Sequence, residues 1–133
     1  MVDISVGQKP RVLVVEDDPL LSSLLVQKLD RENFGVLYAP TGEAALDQVK
    51  SGRPDIIVLD ILLPGKSGFD VLAEIKADPT YKTIPVIILS NLGLESDIQK
   101  GKDLGAVAFI VKVSLTLDEV IAKITAVWRA HQG

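Results

Sequence analysis

The chain contains no cysteine, which excludes disulfide bridges and metal sites built from thiolates. It also has no apolar run of the ~18–20 residues that a membrane-spanning helix needs, because charges or prolines interrupt every run. The first ten residues lack the apolar segment of a secretory signal. We therefore expect a cytoplasmic protein with no membrane segment.

Positive charge is also in short supply. The chain has 14 lysine and arginine residues against 18 aspartate and glutamate residues, which gives a net charge of −4. A protein that binds nucleic acid directly usually carries the opposite excess, because it must neutralise phosphates. The charge balance therefore argues against nucleic acid as a direct partner.

The length and the uniform composition indicate a single domain. A chain of 133 residues with 47% hydrophobic residues can bury a substantial core. We assign residues 10–133 to this domain and residues 1–9 to a flexible polar tail. No second composition regime is visible, so we expect no appended effector module.

Five strand-like runs alternate with five helix-like runs along the chain. The strand-like runs are short and rich in β-branched residues, which is typical of parallel strands covered on both faces. They are residues 12–15, 36–39, 56–59, 86–89 and 107–111. Strict alternation with short links predicts a doubly wound α/β domain, a parallel sheet between two layers of helices.

Capping residues mark where three of the helices begin. Asp18 followed by Pro19 is typical of a helix start, and Thr41 precedes the second helix. Thr116 and Glu119 have the spacing of a capping box at the start of the last helix.

The first and fourth helices differ in how well their sequences define them. The fourth, residues 94–104, is the weakest because Gly101 lies inside it and few apolar residues anchor it. The first has an apolar stripe that we expect to face the sheet. This stripe consists of Leu20, Leu21, Leu24, Leu25 and Leu29.

Acidic residues stand directly after two of the predicted strands. Glu16 and Asp17 follow the first strand, and Asp60 follows the third. The functional crevice of such a sheet lies at the carboxyl ends of its strands, so these carboxylates should meet there. They would repel one another unless a cation compensates, and oxygen ligands suit Mg²⁺ or Mn²⁺. We predict a metal site held by Asp17 and Asp60, with Glu16 acting through water.

Two more polar residues follow the remaining central strands. Ser90 comes after the fourth strand and Lys112 after the fifth, so they should reach the same sheet edge. A metal, a lysine and a hydroxyl around a carboxylate suit phosphoryl transfer, which depends on positioning and charge stabilisation. We predict that Asp60 is the nucleophile and that Lys112 and Ser90 contact phosphoryl oxygens.

The motifs in which these residues lie resemble the receiver domains of bacterial two-component response regulators, of the chemotaxis-regulator type. The matching stretches are VVEDDP at 14–19, LDILLPG at 59–65, PVIILS at 85–90 and GAVAFIVK at 105–112. The resemblance implies strand order 2-1-3-4-5 in a flavodoxin-like sandwich. It also implies that a histidine kinase or phosphotransfer protein phosphorylates Asp60, with the backbone carbonyl of Leu62 as a further metal ligand.

The resemblance further implies a switch and an output. In the family, the residue at the Ser90 position swings toward the phosphoryl group and the aromatic at the Phe109 position turns inward. The face formed by helix 4, strand 5 and helix 5 then changes and controls a downstream protein, which the sequence does not identify. Such a module is not an ordinary enzyme, since it catalyses only its own phosphorylation and dephosphorylation.

Three other functions fit the residues less well. A phosphohydrolase with an aspartate nucleophile would need a second acid two residues after Asp60, where Leu62 stands. A flavin binder would not place acids after the first strand, where they repel phosphate. A pseudo-receiver that only binds is disfavoured because the acids, Ser90 and Lys112 are all present.

One departure from the family pattern gives a geometric prediction. Val113 stands where the family usually has proline, and the lysine–proline bond is usually cis. A cis bond before valine costs about 2.5–4 kcal/mol, against roughly 0.5–1 kcal/mol before proline. We therefore predict a trans bond between Lys112 and Val113, with Lys112 still directed at Asp60.

Overall fold

The computed structural model describes residues 9–132. The predicted N-terminal tail lies outside the described residues, apart from Lys9. Five parallel strands form one sheet in the order β2-β1-β3-β4-β5, which confirms the predicted fold class. The strands are β1 (Arg11–Val15), β2 (Gly35–Ala39), β3 (Ile56–Leu59), β4 (Val86–Ser90) and β5 (Ala108–Val111). The helices are α1 (Pro19–Arg31), α2 (Gly42–Gly52), α3 (Gly68–Ala77), α4 (Glu95–Asp103) and α5 (Leu117–Gln132).

The sheet separates two buried layers because side chains alternate along each strand. In β1, Val12 and Val14 pack under α1 and α5, whereas Leu13 and Val15 pack on the other face with α2 and α3. Both faces are covered by helices, so β1, β3 and β4 are almost entirely apolar and buried. Within residues 9–132, no helix combines the length and the apolar character needed to cross a membrane.

The predicted helix starts are confirmed by their hydrogen bonds. Asp18 Oδ1 accepts from two backbone N–H groups of α1, at 2.9 and 3.3 Å. Thr41 Oγ1 accepts from the first turn of α2 at 3.1 Å. Thr116 and Glu119 bond reciprocally, each backbone N–H donating to the other side chain at 3.0 and 3.2 Å. Each cap satisfies N–H groups that have no partner within the helix.

The predicted apolar stripe of α1 was too wide. Leu25 and Leu29 are fully buried, but Leu20 is 70% exposed and Leu24 is 39% exposed. Residues four apart, such as Leu21, Leu25 and Leu29, share one face of a helix. Leu20 and Leu24 each precede one of these residues by a single position, which rotates them by about 100° around the helix axis. The helix therefore turns the row of Leu21, Leu25 and Leu29 toward the sheet, and Leu20 and Leu24 fall outside it.

Candidate functional site

The carboxyl ends of four neighbouring strands bring the predicted site residues to one edge of the sheet. Glu16 and Asp17 follow β1, Asp60 follows β3, Ser90 is the last residue of β4, and Lys112 follows β5. These strands are adjacent in the sheet, although their sequence positions are far apart. The backbone supports this convergence, since Asp60 N–H donates to the carbonyl of β1 residue Val15 at 3.0 Å.

Lys112 connects the two buried acids. Its Nζ donates a hydrogen bond to Asp60 Oδ2 at 2.8 Å and lies 2.5 Å from Glu16 Oε1. Burial acts to lower the pKa of Lys112, but its contacts with Asp60 and Glu16 outweigh that effect and raise the pKa. The amine is therefore held as an ammonium beside the carboxylate that we predicted to be the nucleophile.

Glu16 and Asp17 occupy different environments although they are neighbours in the chain. Glu16 is 2% exposed, whereas Asp17 is exposed to solvent. Burial raises the pKa of Glu16, and the nearby charge of Asp60 adds to this, while the contact with Lys112 offsets part of it. Glu16 Oε2 accepts from the backbone N–H of Asp18 at 3.1 Å, and Oε1 is paired with the ammonium of Lys112.

The acidic cluster has the composition of a site for a hard cation. Glu16, Asp17 and Asp60 each offer a carboxylate oxygen, and these oxygens lie within 4.8 Å of one another. Carboxylate oxygens are the ligands that Mg²⁺ and Mn²⁺ prefer. The donor set therefore fits the predicted metal.

The site carboxylate of Asp60 is also held by the loop that follows it. The backbone N–H of Leu62 donates to Asp60 Oδ1 at 3.3 Å, while Lys112 binds the other oxygen. The Leu62 side chain is 57% exposed and points a hydrocarbon surface to solvent. Asp60 itself is only 4% exposed, so its orientation is set by these two bonds and by packing.

Ser90 and Phe109, the two predicted switch residues, lie in the neighbouring strands β4 and β5. Ser90 is fully buried, and its Oγ accepts from the backbone N–H of Leu92 at 3.3 Å. Phe109 is half-buried against the layer that contains α2 and α3. Gly101 of α4 packs closely on it, since a Cβ at Gly101 would lie 3.1 Å from Phe109 Cδ2.

The bond between Lys112 and Val113 is trans, as predicted, because no cis peptide bond occurs in the described part of the chain. The chain continues from β5 into a 3₁₀ turn over Lys112–Ser114. Lys112 nevertheless reaches Asp60. The side chain of Val113 is 84% exposed and contributes little to the core.

The sequence analysis missed the glycines that shape the loop after Asp60. A Cβ at Gly68 would lie only 2.1 Å from the Asp60 carbonyl oxygen, and one at Gly42 would lie 2.6 Å from the Lys66 carbonyl oxygen. Gly42 and Gly68 are each the first residue of a helix. Glycine is a poor helix former, so its presence there is the signal in the sequence that a close backbone contact requires it.

Comparison with known proteins points to one family. Residues 12–125 match the family described as Response regulator receiver domain. The chain is 40% identical over 119 residues to the transcriptional regulatory protein CpxR of Klebsiella pneumoniae, covering 90% of this chain and 49% of CpxR. It is 39% identical over 102 residues to the response regulator PleD of Caulobacter vibrioides, covering 77% of this chain and 22% of PleD. It therefore spans about half the length, or less, of the curated relatives it matches.

Solved structures give the same result. The receiver domain of HemR from Leptospira biflexa, in non-phosphorylated form, superposes with a TM-score of 0.83 at 32% identity, covering 90% of this chain and 94% of that one. The phosphorylated cyanobacterial phytochrome response regulator RcpA superposes with a TM-score of 0.79 at 32% identity, covering 90% and 91% of the two chains.

Proposed function

This chain belongs to the response regulator receiver domain family, and we propose that its Asp60 accepts a phosphoryl group from a histidine kinase or a phosphotransfer protein. One observation carries the proposal. Lys112 Nζ lies 2.8 Å from Asp60 Oδ2 and 2.5 Å from Glu16 Oε1, at the carboxyl edge of the sheet. That arrangement pairs a nucleophilic carboxylate with a fixed cation for the incoming phosphoryl oxygens.

The proposed reaction is a displacement at phosphorus. A carboxylate oxygen of Asp60 forms a bond to the phosphorus of a phosphohistidine while the P–N bond breaks, and the leaving imidazole takes up a proton. Charge on the transferred group spreads over its three equatorial oxygens. Lys112 would bind one of these oxygens, and the hydroxyl of Ser90 would bind another after release from the Leu92 N–H.

The acidic cluster is proposed to hold Mg²⁺ or Mn²⁺ during the reaction. The ligands would be Asp17, Asp60 and the backbone carbonyl of Leu62, with Glu16 acting through water. When bound, the cation neutralises phosphoryl oxygens that the three acids would otherwise repel. The role of Glu16 is then to hold water and to keep Lys112 in place, because its carboxylate is buried beside the lysine.

The proposed output is a change in the face formed by α4, β5 and α5. Movement of Ser90 toward the phosphoryl group would let α4 shift, and Phe109 would turn into the space beneath it. Gly101 already packs closely over Phe109, so the ring and the helix must move together. The changed face would control a downstream protein in the cytoplasm, and the chain would catalyse only its own phosphorylation and dephosphorylation.

The central test is the identity of the phosphorylated residue. We expect wild type, incubated with acetyl phosphate and Mg²⁺, to gain one acid-labile phosphate, seen by intact mass spectrometry and located at Asp60. Asp60→Asn should gain none and should keep the wild-type circular dichroism spectrum. Asp47→Asn, which removes an exposed acid of α2, should label as wild type does. Full labelling of the Asp60→Asn variant would refute the assignment.

A further inference from the structure

We infer that the first turn of α2 positions the phosphoacceptor, because Gly42 and Glu43 pack against the loop that hydrogen-bonds Asp60. This loop comprises residues 61–67, between β3 and α3, and is called the acceptor loop below. The inference rests on the proposed function of Asp60, but the contacts that support it belong to α2, a helix with no residue in the acidic cluster.

The acceptor loop is closed at its base by backbone contacts. Gly68 N–H donates to the Ile61 carbonyl at 2.8 Å. A Cβ at Gly68 would lie 2.1 Å from the Asp60 carbonyl oxygen, so only glycine permits this approach. The two ends of the loop therefore lie against each other, directly beside Asp60.

The tip of the loop rests on α2. A Cβ at Gly42 would lie 2.6 Å from the Lys66 carbonyl oxygen and 2.9 Å from the Lys66 Cβ. The first distance is to backbone, which cannot rotate away as the end of a side chain can. The loop therefore occupies the space beside α2 that any larger residue at position 42 would take.

The carboxylate of Glu43 lies beside the adjoining residue, Gly65. Gly65 has φ of +72°, and a Cβ there would lie 3.1 Å from a carboxylate oxygen of Glu43. Lys66 binds Glu74 of α3, Nζ to Oε2, at 2.9 Å, and this bond is the main reason that the pKa of Lys66 is raised. Two helices thus hold the tip, α2 by close packing and α3 by an ion pair.

The functional consequence falls on Leu62. Its N–H donates to Asp60 Oδ1 at 3.3 Å, already near the limit of a useful hydrogen bond. Its exposed side chain gives it little anchorage in the core. A shift of the loop by a few tenths of an ångström would therefore release one oxygen of the nucleophile and leave Lys112 as its remaining hydrogen-bond donor.

The test compares two glycine-to-alanine variants with wild type, first without a phosphodonor and then during labelling by acetyl phosphate. We expect Gly42→Ala to move the Leu62 amide resonance in ¹⁵N NMR spectra before any phosphodonor is added. We also expect it to slow labelling of Asp60 by acetyl phosphate by about tenfold or more, since small misplacements of reacting groups cost that much. The matched control is Gly35→Ala, where a Cβ would have 3.7 Å or more of clearance. It should leave the amide and the rate unchanged.

Urea unfolding of both variants shows whether slower labelling comes from a displaced acceptor loop or from a destabilised fold. If Gly42→Ala does not fold, Gly65→Ala decides the question, because Gly65 is exposed and its change is confined to the loop tip. A folded Gly42→Ala, or in its place Gly65→Ala, with a wild-type Leu62 amide and labelling rate would overturn the inference. Absence of label on wild type would instead refute the proposed function, while the Leu62 amide would still test the support from α2.

Discussion

The two helices that pack beside β5 are attached to the sheet in different ways. α5 has 16 residues and buries Val120, Ile121 and Ile124 against the strands. α4 has nine residues, all of them described, and among them only Gly101 is buried. Because burial of aliphatic side chains is the main source of helix stability in proteins, α5 is the better anchored of the two.

The amino end of α5 is also better capped than the amino end of α4. α5 begins with the reciprocal bonds of Thr116 and Glu119. The cap position before α4 is Leu94, which is 70% exposed and has no side-chain hydrogen bond to the helix. The first N–H groups of α4 therefore have no cap of the kind that stabilises α5.

This difference suits the proposed switch. A helix that moves during signalling must leave its position at low free-energy cost, and such elements come from the less stable parts of a fold. α4 contacts Phe69 of α3 through Lys100, whose Nζ lies 4.5 Å from the centre of the ring, a weak attraction at an exposed site. α5 can then serve as the fixed side of the face and α4 as its mobile side.

The strongest test of this comparison fills a close contact between α4 and the sheet. A Cβ at Gly101 would lie 2.6 Å from Ile88 Cδ1 and 3.1 Å from Phe109 Cδ2. We expect Gly101→Val to lower the free energy of unfolding in urea by about 1–3 kcal/mol, the range for overpacked cores. Lys102→Val, an exposed change on the same helix, should cost less than about 0.5 kcal/mol. Equal losses would show that Gly101 is not a packing contact.

Removing the cap of α5 and adding a cap to α4 should have opposite effects on the free energy of unfolding. Thr116→Ala removes the cap of α5 and should lower the free energy of unfolding by about 1 kcal/mol. Leu94→Ser gives α4 a capping hydroxyl and should raise it by up to about 1 kcal/mol. Urea titrations of both variants measure the two changes. A loss of stability in Leu94→Ser would mean that the exposed leucine has a partner at the start of α4.

The smallest expected effect is a pH dependence at the start of α5. Hydrogen bonds from the backbone and side chain of Thr116 hold the pKa of Glu119 below its ordinary value of 4.5. A lowered pKa in the folded state stabilises the fold above the ordinary pKa, and this contribution is lost as pH falls through the lowered pKa. Glu119→Gln should therefore be less stable than wild type at neutral pH, and the difference should vanish in acid. A difference that does not change with pH would contradict the assignment.

Local signals predicted most of the secondary structure. The caps at Asp18, Thr41 and Thr116 were read from residues within one turn of each helix start, where the hydrogen bonds are local. The core of each strand was found from continuous apolar runs, but the fifth begins at Ala108 and not at residue 107. Val107 was included in the predicted strand because it is apolar, but it lies outside β5 and is 43% exposed.

The chemical content of the site was also readable from the sequence, because the carboxyl ends of parallel strands must meet at one edge. This rule placed Asp60 and Lys112 together across 52 positions of sequence, and their hydrogen bond has that separation. The trans bond before Val113 was predicted separately, because a cis bond costs more before valine than before proline.

Tertiary structure alone decided which of these residues are buried and what holds them. Glu16 and Asp17 are adjacent acids after the first strand, and only Glu16 turns inward to Lys112. Leu20 and Leu24 look like core residues but lie outside the row that meets the sheet. The contact of Gly42 with Lys66 joins the first turn of α2 to the acceptor loop, and no local pattern encodes this approach. Capping residues and apolar periodicity are local patterns that extend over a few positions of the sequence. Burial and close contacts instead depend on how segments distant in the sequence pack together.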